Sequence, residues 1–296
     1  MKKKVGYIVL AITAIIATLG YIGIRKFNNA LFSERSNYLS YTSESKPIHF
    51  DWAGDSIGAY YEAQAAMVIP LAFQGLPYRF YVQFDTGSPH TYIYENALKS
   101  LQEIGLDVKL IEKEGAKYVE SLDFTLGGNR IQASRIKILQ NYGNTFEESD
   151  TLKNIKIGTI GSDFIADKIT AIDFNEQEIS VHEKRSEWMD RLGNFSPFDF
   201  AGRRIMLPVR MDNKNYEFLY DSGCSAFGLI TTKNRFKKYA SKEVETISYG
   251  ANSWGSSLPI TSRLSDKVFD IGNETLSLTR VSYVDMYTVM QPLVTP

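Results

Sequence analysis

Two five-residue strings in the sequence each place an aspartate ahead of a hydroxyl residue and a glycine, FDTGS at 84–88 and YDSGC at 220–224. Two carboxylates held within hydrogen-bonding distance cannot both ionise cheaply, so such a pair shares one proton. One member can then act as a base toward water while the other acts as an acid toward a leaving group. Asp85 and Asp221 are therefore the candidate catalytic residues, for hydrolysis without a metal or a covalent intermediate.

The residues that follow each aspartate have the types that such a pair needs for support. Glycine permits the close approach and the unusual dihedrals of a tight turn, and a hydroxyl can hydrogen-bond across to the other turn. We expect Thr86, Gly87 and Ser88 in the first string to support the active-site loops. Ser222 and Gly223 have the same predicted role in the second string.

Each aspartate comes at the end of a predicted β-hairpin. Apolar and alternating runs bounded by Gly, Asn, Asp and Pro are typical of strands and turns, so the predicted class is mostly β. Each predicted hairpin precedes one of the two strings: Met67–Phe73 with Tyr78–Phe84, and Ile205–Met211 with Tyr216–Tyr220. A second pair of hairpins, Phe124–Leu139 and Phe269–Val284, follows the two strings. Helices are predicted over Tyr94–Ile104 and Lys233–Val244. The repetition predicts two duplicated lobes.

The apolar-apolar-Asp-Thr/Ser-Gly pattern resembles the active-site signature of the pepsin and retroviral protease superfamily. In the first half the segment Ile157–Gly161 resembles the glycine strand of that family, Ser162–Ile165 the helix after it, and Ile169–Val181 its closing hairpin. The resemblance implies a two-lobed acid-protease β-barrel fold, in which the Gly161 strand passes beneath the Asp85 loop. It also implies an aspartic endopeptidase.

A flap that closes over substrate is a further implication of the resemblance. By position, the best candidate is the segment Ile111–Tyr118, and within it Glu114, Gly115, Ala116 and Tyr118. Its turn lacks the glycine richness of retroviral flaps, and Tyr118 has no assigned role.

The domain boundaries follow from these elements. We expect an anchor at 1–27, a tether at 28–46, lobe 1 at 47–185, a linker at 186–201 and lobe 2 at 202–296. The second lobe should contain its own glycine strand, but its counted place falls after Pro296. We therefore expect a truncated second lobe, or alternatively a degenerate one.

The N-terminus carries the pattern of a membrane anchor. Val5–Ile24 is an uncharged run of the length that spans a bilayer, and it is closed by Arg25 and Lys26. The cluster Lys2–Lys4 favours a single-pass signal anchor with the soluble part outside the cytoplasm. A cleaved signal peptide is the alternative, although its apolar region should be shorter and end at a small-residue cleavage site.

Composition excludes several other classes of function. The net charge of −1 provides no field that would attract nucleic acid. The single cysteine, Cys224, and the three scattered histidines show no metal-ligand spacing, so no cofactor is expected. Cys224 is interpreted as a small buried residue beside its loop rather than a nucleophile, and His90 as a rim or structural residue rather than a catalytic one.

The sequence leaves three functions open. The first is a two-lobed endopeptidase acting on a peptide or protein substrate through Asp85 and Asp221. The second is a non-catalytic peptide-binding relative. The third is a homodimeric single-lobe peptidase that uses Asp85 from each chain. The sequence does not indicate an oligomeric state.

Overall fold

The computed structural model describes residues 36–41, 46–152, 154–192 and 195–285, and these are mostly β-structure. The predicted fold class is confirmed at that level. The first half, residues 36–182, has these elements: β1 Leu39–Tyr41, β2 Ile48–His49, β3 Asp51–Ile57, β4 Tyr60–Phe73, β5 Phe80–Phe84, β6 Tyr92–Tyr94, α1 Glu95–Glu103, β7 Lys109–Lys113, β8 Ala116–Leu126, β9 Asn129–Leu139, β10 Lys156–Ile160, β11 Ile169–Asp173 and β12 Glu178–His182.

A connecting segment leads from β12 to the second half, which comprises residues 199–285. The elements after β12 are α2 Glu187–Asp190, β13 Asp199–Ala201, β14 Arg204–Met211, β15 Lys214–Tyr220, β16 Leu229–Thr231, α3 Lys233–Tyr239, β17 Ile247–Ser253, β18 Ser256–Leu264, β19 Val268–Ile271, β20 Glu274–Ser277 and β21 Arg280–Val284. Short 3₁₀ turns occupy Glu148–Leu152 and Ser222–Cys224.

The main sheet of the first half places the Asp85 loop over a central strand. Its order is β1-β9-β6-β10-β5-β4-β8-β7, with β3 beside β4. β10 runs parallel to β5 with Ile160 opposite Phe84, and it pairs with β6 on its other side. The chain leaving β5 at Asp85 must therefore cross the end of β10 to reach β6.

Buried apolar side chains fix the ends of these strands. Phe84 and Ile160 are fully buried at the point where the two strands stop. On α1 the buried Leu98 and Leu101 recur at helical spacing, so one face of that helix packs onto the sheet. The strand that delivers Asp85 is thus part of the hydrophobic core.

The second half repeats the path of the first around Asp221. β14 and β15 form a hairpin whose turn residues, Asp212 and Asn213, have φ of 50° and 59°, as a two-residue type I′ turn requires. β16 pairs parallel to β21, just as β6 pairs parallel to β9. Among the described residues, however, no strand pairs with β15 on the edge away from β14, where β10 lies beside β5 in the first half.

The hairpin β3–β4 extends from the first half to the second. Its tip is close-packed, because a Cβ added at Gly58 would lie 2.8 Å from Cγ2 of Ile247. Nearby, the Tyr60 hydroxyl donates to the carbonyl of Ala226 at 3.5 Å, and the Arg280 guanidinium stacks 4.1 Å from the Tyr60 ring centroid. This hairpin therefore joins the two halves.

The predicted tether differs from the structure in its second part. Residues 39–41 form β1, which adds to β9 as an antiparallel edge strand. Asn37 also donates its side-chain amide to the carbonyl of Asp163 at 2.8 Å. These bonds satisfy backbone and side-chain groups that a free tether would leave to water.

Three other predicted elements are shorter than expected. The helix predicted to Val244 ends at Tyr239, and the next residues leave to meet β18, with Ser241 N–H donating to the carbonyl of Leu264. The hairpin predicted over Phe269–Val284 ends at Ser277, after which the chain changes sheet to form β21. The helix predicted after Gly161 is a run of turns closed by i→i−3 hydrogen bonds.

The predicted anchor, residues 5–24, lies outside the described residues, as does the C-terminal end from 286 to 296. In the described ranges, no helix has both the length and the apolar character needed to cross a bilayer.

Candidate active site

The two predicted aspartates sit at the ends of equivalent strands, each anchored within its own turn. Asp85 is 8 % exposed; its N–H donates to the carbonyl of Ile160 at 3.0 Å, and its Oδ1 accepts from Ser88 N–H at 3.0 Å. In the second turn, Oδ1 of Asp221 accepts from Gly223 N–H at 2.9 Å. The backbone of each turn therefore orients its own carboxylate.

Thr86 and Ser222 tie the two turns together through four reciprocal hydrogen bonds. The Thr86 hydroxyl accepts from Ser222 N–H at 3.0 Å and donates to the carbonyl of Tyr220 at 2.9 Å. The Ser222 hydroxyl accepts from Thr86 N–H at 3.0 Å and donates to the carbonyl of Phe84 at 2.9 Å. Each hydroxyl thus bonds the backbone on both sides of the opposite aspartate, which fixes the relative position of the two turns.

Gly87 and Gly223 bring each turn against the opposite carboxyl group. A Cβ added at Gly87 would lie 2.4 Å from Cγ of Asp221, and one added at Gly223 would lie 2.4 Å from Cγ of Asp85. A side chain at either position would displace the facing carboxylate. The two carboxyl groups therefore lie together at the junction of the two halves.

The segment after β10 supports the Asp85 turn from below. Ser162 donates its N–H to the carbonyl of Ser88 and its hydroxyl to the carbonyl of Thr86, both at 2.8 Å. A Cβ at Gly161 would lie 2.4 Å from the carbonyl oxygen of His90, so glycine is required for this close passage. Gly161 and Ser88, two of the residues predicted to support the turn, are therefore in contact with each other.

Asp163 is a supporting residue whose role was not predicted. Its carboxylate accepts from both the N–H and the hydroxyl of Thr91 at 2.7 Å, which closes the loop that carries Asp85. Burial raises the pKa of Asp163 to about 6, partly offset by the hydrogen bonds from Thr91. Its place directly after a glycine strand was the available signal, but no local pattern indicates that its carboxylate bonds Thr91.

The electrostatic environment of Asp85 favours a shared proton. Burial raises its pKa most, and the neighbouring charge of Asp221 and a hydrogen bond to that carboxyl group raise it further. The backbone N–H groups of Ser88 and Gly87 act in the opposite direction. Because the raising influences prevail, Asp85 retains its proton at a pH where an isolated aspartate is ionised.

The Asp221 turn is held largely by groups of the first half. Gln83 donates its amide to the carbonyl of Gly223 at 3.2 Å, and it accepts in turn from the ammonium of Lys156 at 3.2 Å. Tyr60 reaches the same loop through Ala226. The first half thus contributes support that the second half, in its described part, does not supply from a strand of its own.

Cys224 occupies the position in the second turn that Ser88 occupies in the first. Desolvation and the negative charge of Asp221 raise the pKa of its thiol well above the usual range, so it is a poor nucleophile. Within the described ranges, no group of three or more His, Cys, Asp and Glu side chains is arranged to hold a metal ion.

The predicted flap segment forms a hairpin of its own. Glu114 and Gly115 make the turn between β7 and β8 with φ of 53° and 72°, and Ala116 begins β8. The ring of Tyr118 lies 4.9 Å from the Arg135 guanidinium, whose centre is also 3.9 Å from the ring of Tyr38. These contacts hold Tyr118 against the sheet of the first half.

A second hairpin with the same place in the topology reaches across from the second half, and sequence reasoning missed it. The turn between β17 and β18 carries Trp254, whose ring packs against Tyr92 at 5.7 Å and Tyr142 at 6.2 Å between centroids. Tyr92 begins β6, directly after the loop that carries Asp85. The signal in the sequence was the pair Trp254-Gly255 between two alternating runs.

No family model matches the chain, and no curated protein matches it significantly.

Replacing Thr86 by Val keeps the side-chain shape but removes one acceptor and one donor from the junction. Ser222 N–H and the Tyr220 carbonyl then lose their buried partner, and we expect the free energy of unfolding to fall by about 2–4 kcal/mol. Thr86→Ser, which keeps the hydroxyl, is the matched control and should cost less than about 1 kcal/mol. In a double-mutant cycle with Ser222→Ala, measured by urea unfolding, the effects should be non-additive; additive effects would show that the turns are not coupled.

Stability should fall as the pH rises above about 4, because the folded pKa of Asp85 lies above its unfolded value and the folded state therefore binds more protons. The slope should reach at most about 1.4 kcal/mol per pH unit for each proton, and it should persist through the raised pKa of the pair. Asp163 adds to this slope between about pH 4 and 6. In Asp85→Asn, urea unfolding across this range should show a flatter profile; a slope equal to that of the parent would refute the assignment.

Proposed function

We propose that this chain is an aspartic endopeptidase with a two-lobed fold like that of pepsin and the retroviral proteases. The observation that carries the proposal is the reciprocal bonding of Thr86 and Ser222, with each glycine of the two turns packed on the opposite carboxyl group. An isolated turn aspartate that caps its own backbone needs no partner turn. The exchange between two equivalent turns supports a pair that works as a unit.

The proposed mechanism uses Asp85 as the initial acid and Asp221 as the initial base. A water between the carboxyl groups gives a proton to Asp221 as its oxygen attacks the amide carbon, while Asp85 protonates the carbonyl oxygen. The resulting gem-diol then collapses: a hydroxyl proton passes to Asp85, the proton on Asp221 passes to the amide nitrogen, and the C–N bond breaks. Asp85 has the acid role because its buried environment retains the proton.

Substrate would lie extended across the junction of the two halves. Two hairpins are candidates for covering it: β7–β8 with the turn at Glu114 and Gly115, and β17–β18 with the turn at Trp254. The partly exposed rings of Tyr92 and Tyr142 would form an apolar wall for substrate side chains on the side of the second hairpin.

The homodimeric alternative, with Asp85 from two chains, finds less support than the single-chain pair. The groups that Thr86 would offer to a second copy are already bonded to Ser222 and Tyr220 of the same chain. A dimer through Asp85 would have to break these bonds.

A peptide-binding relative without hydrolysis is a second candidate, favoured by two observations in the second half. In the described residues, β15 has no partner strand on the side that β10 occupies in the first half. Cys224, a weak donor, also stands where Ser88 stands in the first turn. Both would leave the Asp221 turn less firmly held than the Asp85 turn.

The proposed location is a membrane, with the catalytic part outside the cytoplasm. It rests on the sequence of Val5–Ile24 and its flanking lysines.

Cleavage of a quenched fluorescent peptide library across acidic and neutral pH tests the proposed function. For the full chain we expect kcat to fall by about 10²- to 10⁴-fold in both Asp85→Asn and Asp221→Asn, because each removes a general acid–base group. Mixing the Asp85→Asn and Asp221→Asn variants should restore no cleavage activity. Loss in Asp85→Asn alone would favour the homodimer, and a parent that binds peptides without cleaving them would favour the binding relative.

A further inference from the structure

The connecting segment between the two halves exposes an unusual amount of apolar surface. Five large side chains within thirteen residues are 38–65 % exposed. They form the aromatic segment: Trp188, Leu192, Phe195, Phe198 and Phe200. Single exposed apolar residues are ordinary, but five within thirteen residues make this segment the candidate interaction surface of the described residues.

The composition of this surface is typical of the interfacial layer of a lipid bilayer. Trp is enriched at the level of the head groups, and segments that lie in the interface present Trp, Phe and Leu to the acyl boundary and Arg or Lys to water. Arg185 contributes to this surface: its guanidinium stacks on Phe195, 4.4 Å from the ring centroid, and pairs with Asp190 at 2.8 Å.

The balanced charge of the segment gives it no preference for anionic lipid. Across 184–200, the basic side chains of Lys184, Arg185 and Arg191 are balanced by acidic ones at Glu187, Asp190 and Asp199. Binding would therefore depend on apolar burial, and zwitterionic lipid should suffice.

The start of the first half, residues 36–41, is linked to both ends of this segment through side-chain contacts. At one end, Lys168 pairs with Glu183 while its ammonium lies 5.6 Å from the ring centroid of Tyr41. At the other end, Arg203 donates to the carbonyl of Pro89 at 3.2 Å, in the same loop whose Thr91 bonds Asp163.

Asn37 links the start of the first half to this same region, because it donates its side-chain amide to the carbonyl of Asp163. The start of the first half and the aromatic segment therefore share one side of the molecule. Only residues 25–35 separate the predicted membrane span from Ser36, which limits the reach to about 40 Å even if that stretch is fully extended.

From this placement we propose that the aromatic segment rests in the interfacial layer of the membrane in which residues 5–24 are predicted to anchor the chain. The contact rests on the proposed membrane location and is independent of the proposed peptidase activity. This contact would fix the orientation of the junction between the two halves relative to the bilayer. The proposed substrate site would then lie at a defined distance from the lipid surface.

Fluorescence of Trp188 in phosphatidylcholine vesicles with brominated acyl chains tests the proposal. The full chain is reconstituted with Trp188 as its single tryptophan, through Trp52→Phe and Trp254→Phe; the predicted span itself contains no tryptophan. We expect bromine to quench Trp188 by about twofold, as for a side chain seated at the acyl boundary. The matched reference keeps only Trp254, which should stay unquenched.

A second set of variants separates lipid contact from other occupants. Phe195→Ser, Phe198→Ser and Phe200→Ser together should abolish the quenching, whereas Tyr61→Ser with Leu110→Ser, exposed apolar residues outside the segment, should not. Quenching of Trp188 no greater than that of Trp254 would overturn the proposal. So would a dimer in sedimentation that the triple substitution dissociates, since the segment would then be an interface between copies. Peptide cleavage is a separate readout, and its failure would leave this result intact.

Discussion

The exchange of hydrogen bonds between Thr86 and Ser222 is the constraint on which the rest of the structure depends. Four bonds between 2.9 and 3.0 Å fix two loops from distant parts of the chain, each loop at the end of a buried or half-buried strand. The geometry holds only if nothing larger than glycine stands at 87 and 223. Buried donors and acceptors that lose their partners cost far more than the bonds contribute on balance, so the arrangement is specific as well as stable.

The two sides of this junction are built unequally. The Asp85 turn rests on its own half, through Ile160, Ser162 and the Asp163–Thr91 pair. The Asp221 turn depends on Gln83 and on the β3–β4 hairpin, which both belong to the first half. A perturbation of these supports in the first half is therefore expected to reach both aspartates, whereas one in the second half, away from Asp221 and Ser222, should act mainly on Asp221.

Sequence patterns predicted the local elements well and the long-range contacts poorly. The hairpins before Asp85 and Asp221 could be placed because alternation and turn residues are local properties. The partners of Asp163 and Gln83, and the reach of Trp254 to Tyr92, depend on how separate segments pack, which no local pattern encodes. The strand at 39–41 falls within the predicted tether, because three residues are too few to show a period. The hairpin predicted to reach Val284 ends at Ser277, because continuous β-propensity does not reveal that the chain changes sheet there.

Titration of the aspartate carboxyl carbons by ¹³C NMR tests the central claim, a proton shared between Asp85 and Asp221, without any substrate. We predict that the pKa of Asp85 in the parent lies well above that of an ordinary aspartate. In Asp221→Asn its pKa should fall, because the neighbouring charge is lost while burial remains. An Asp85 titration that is the same in both proteins would contradict the shared pair and, with it, the proposed chemistry.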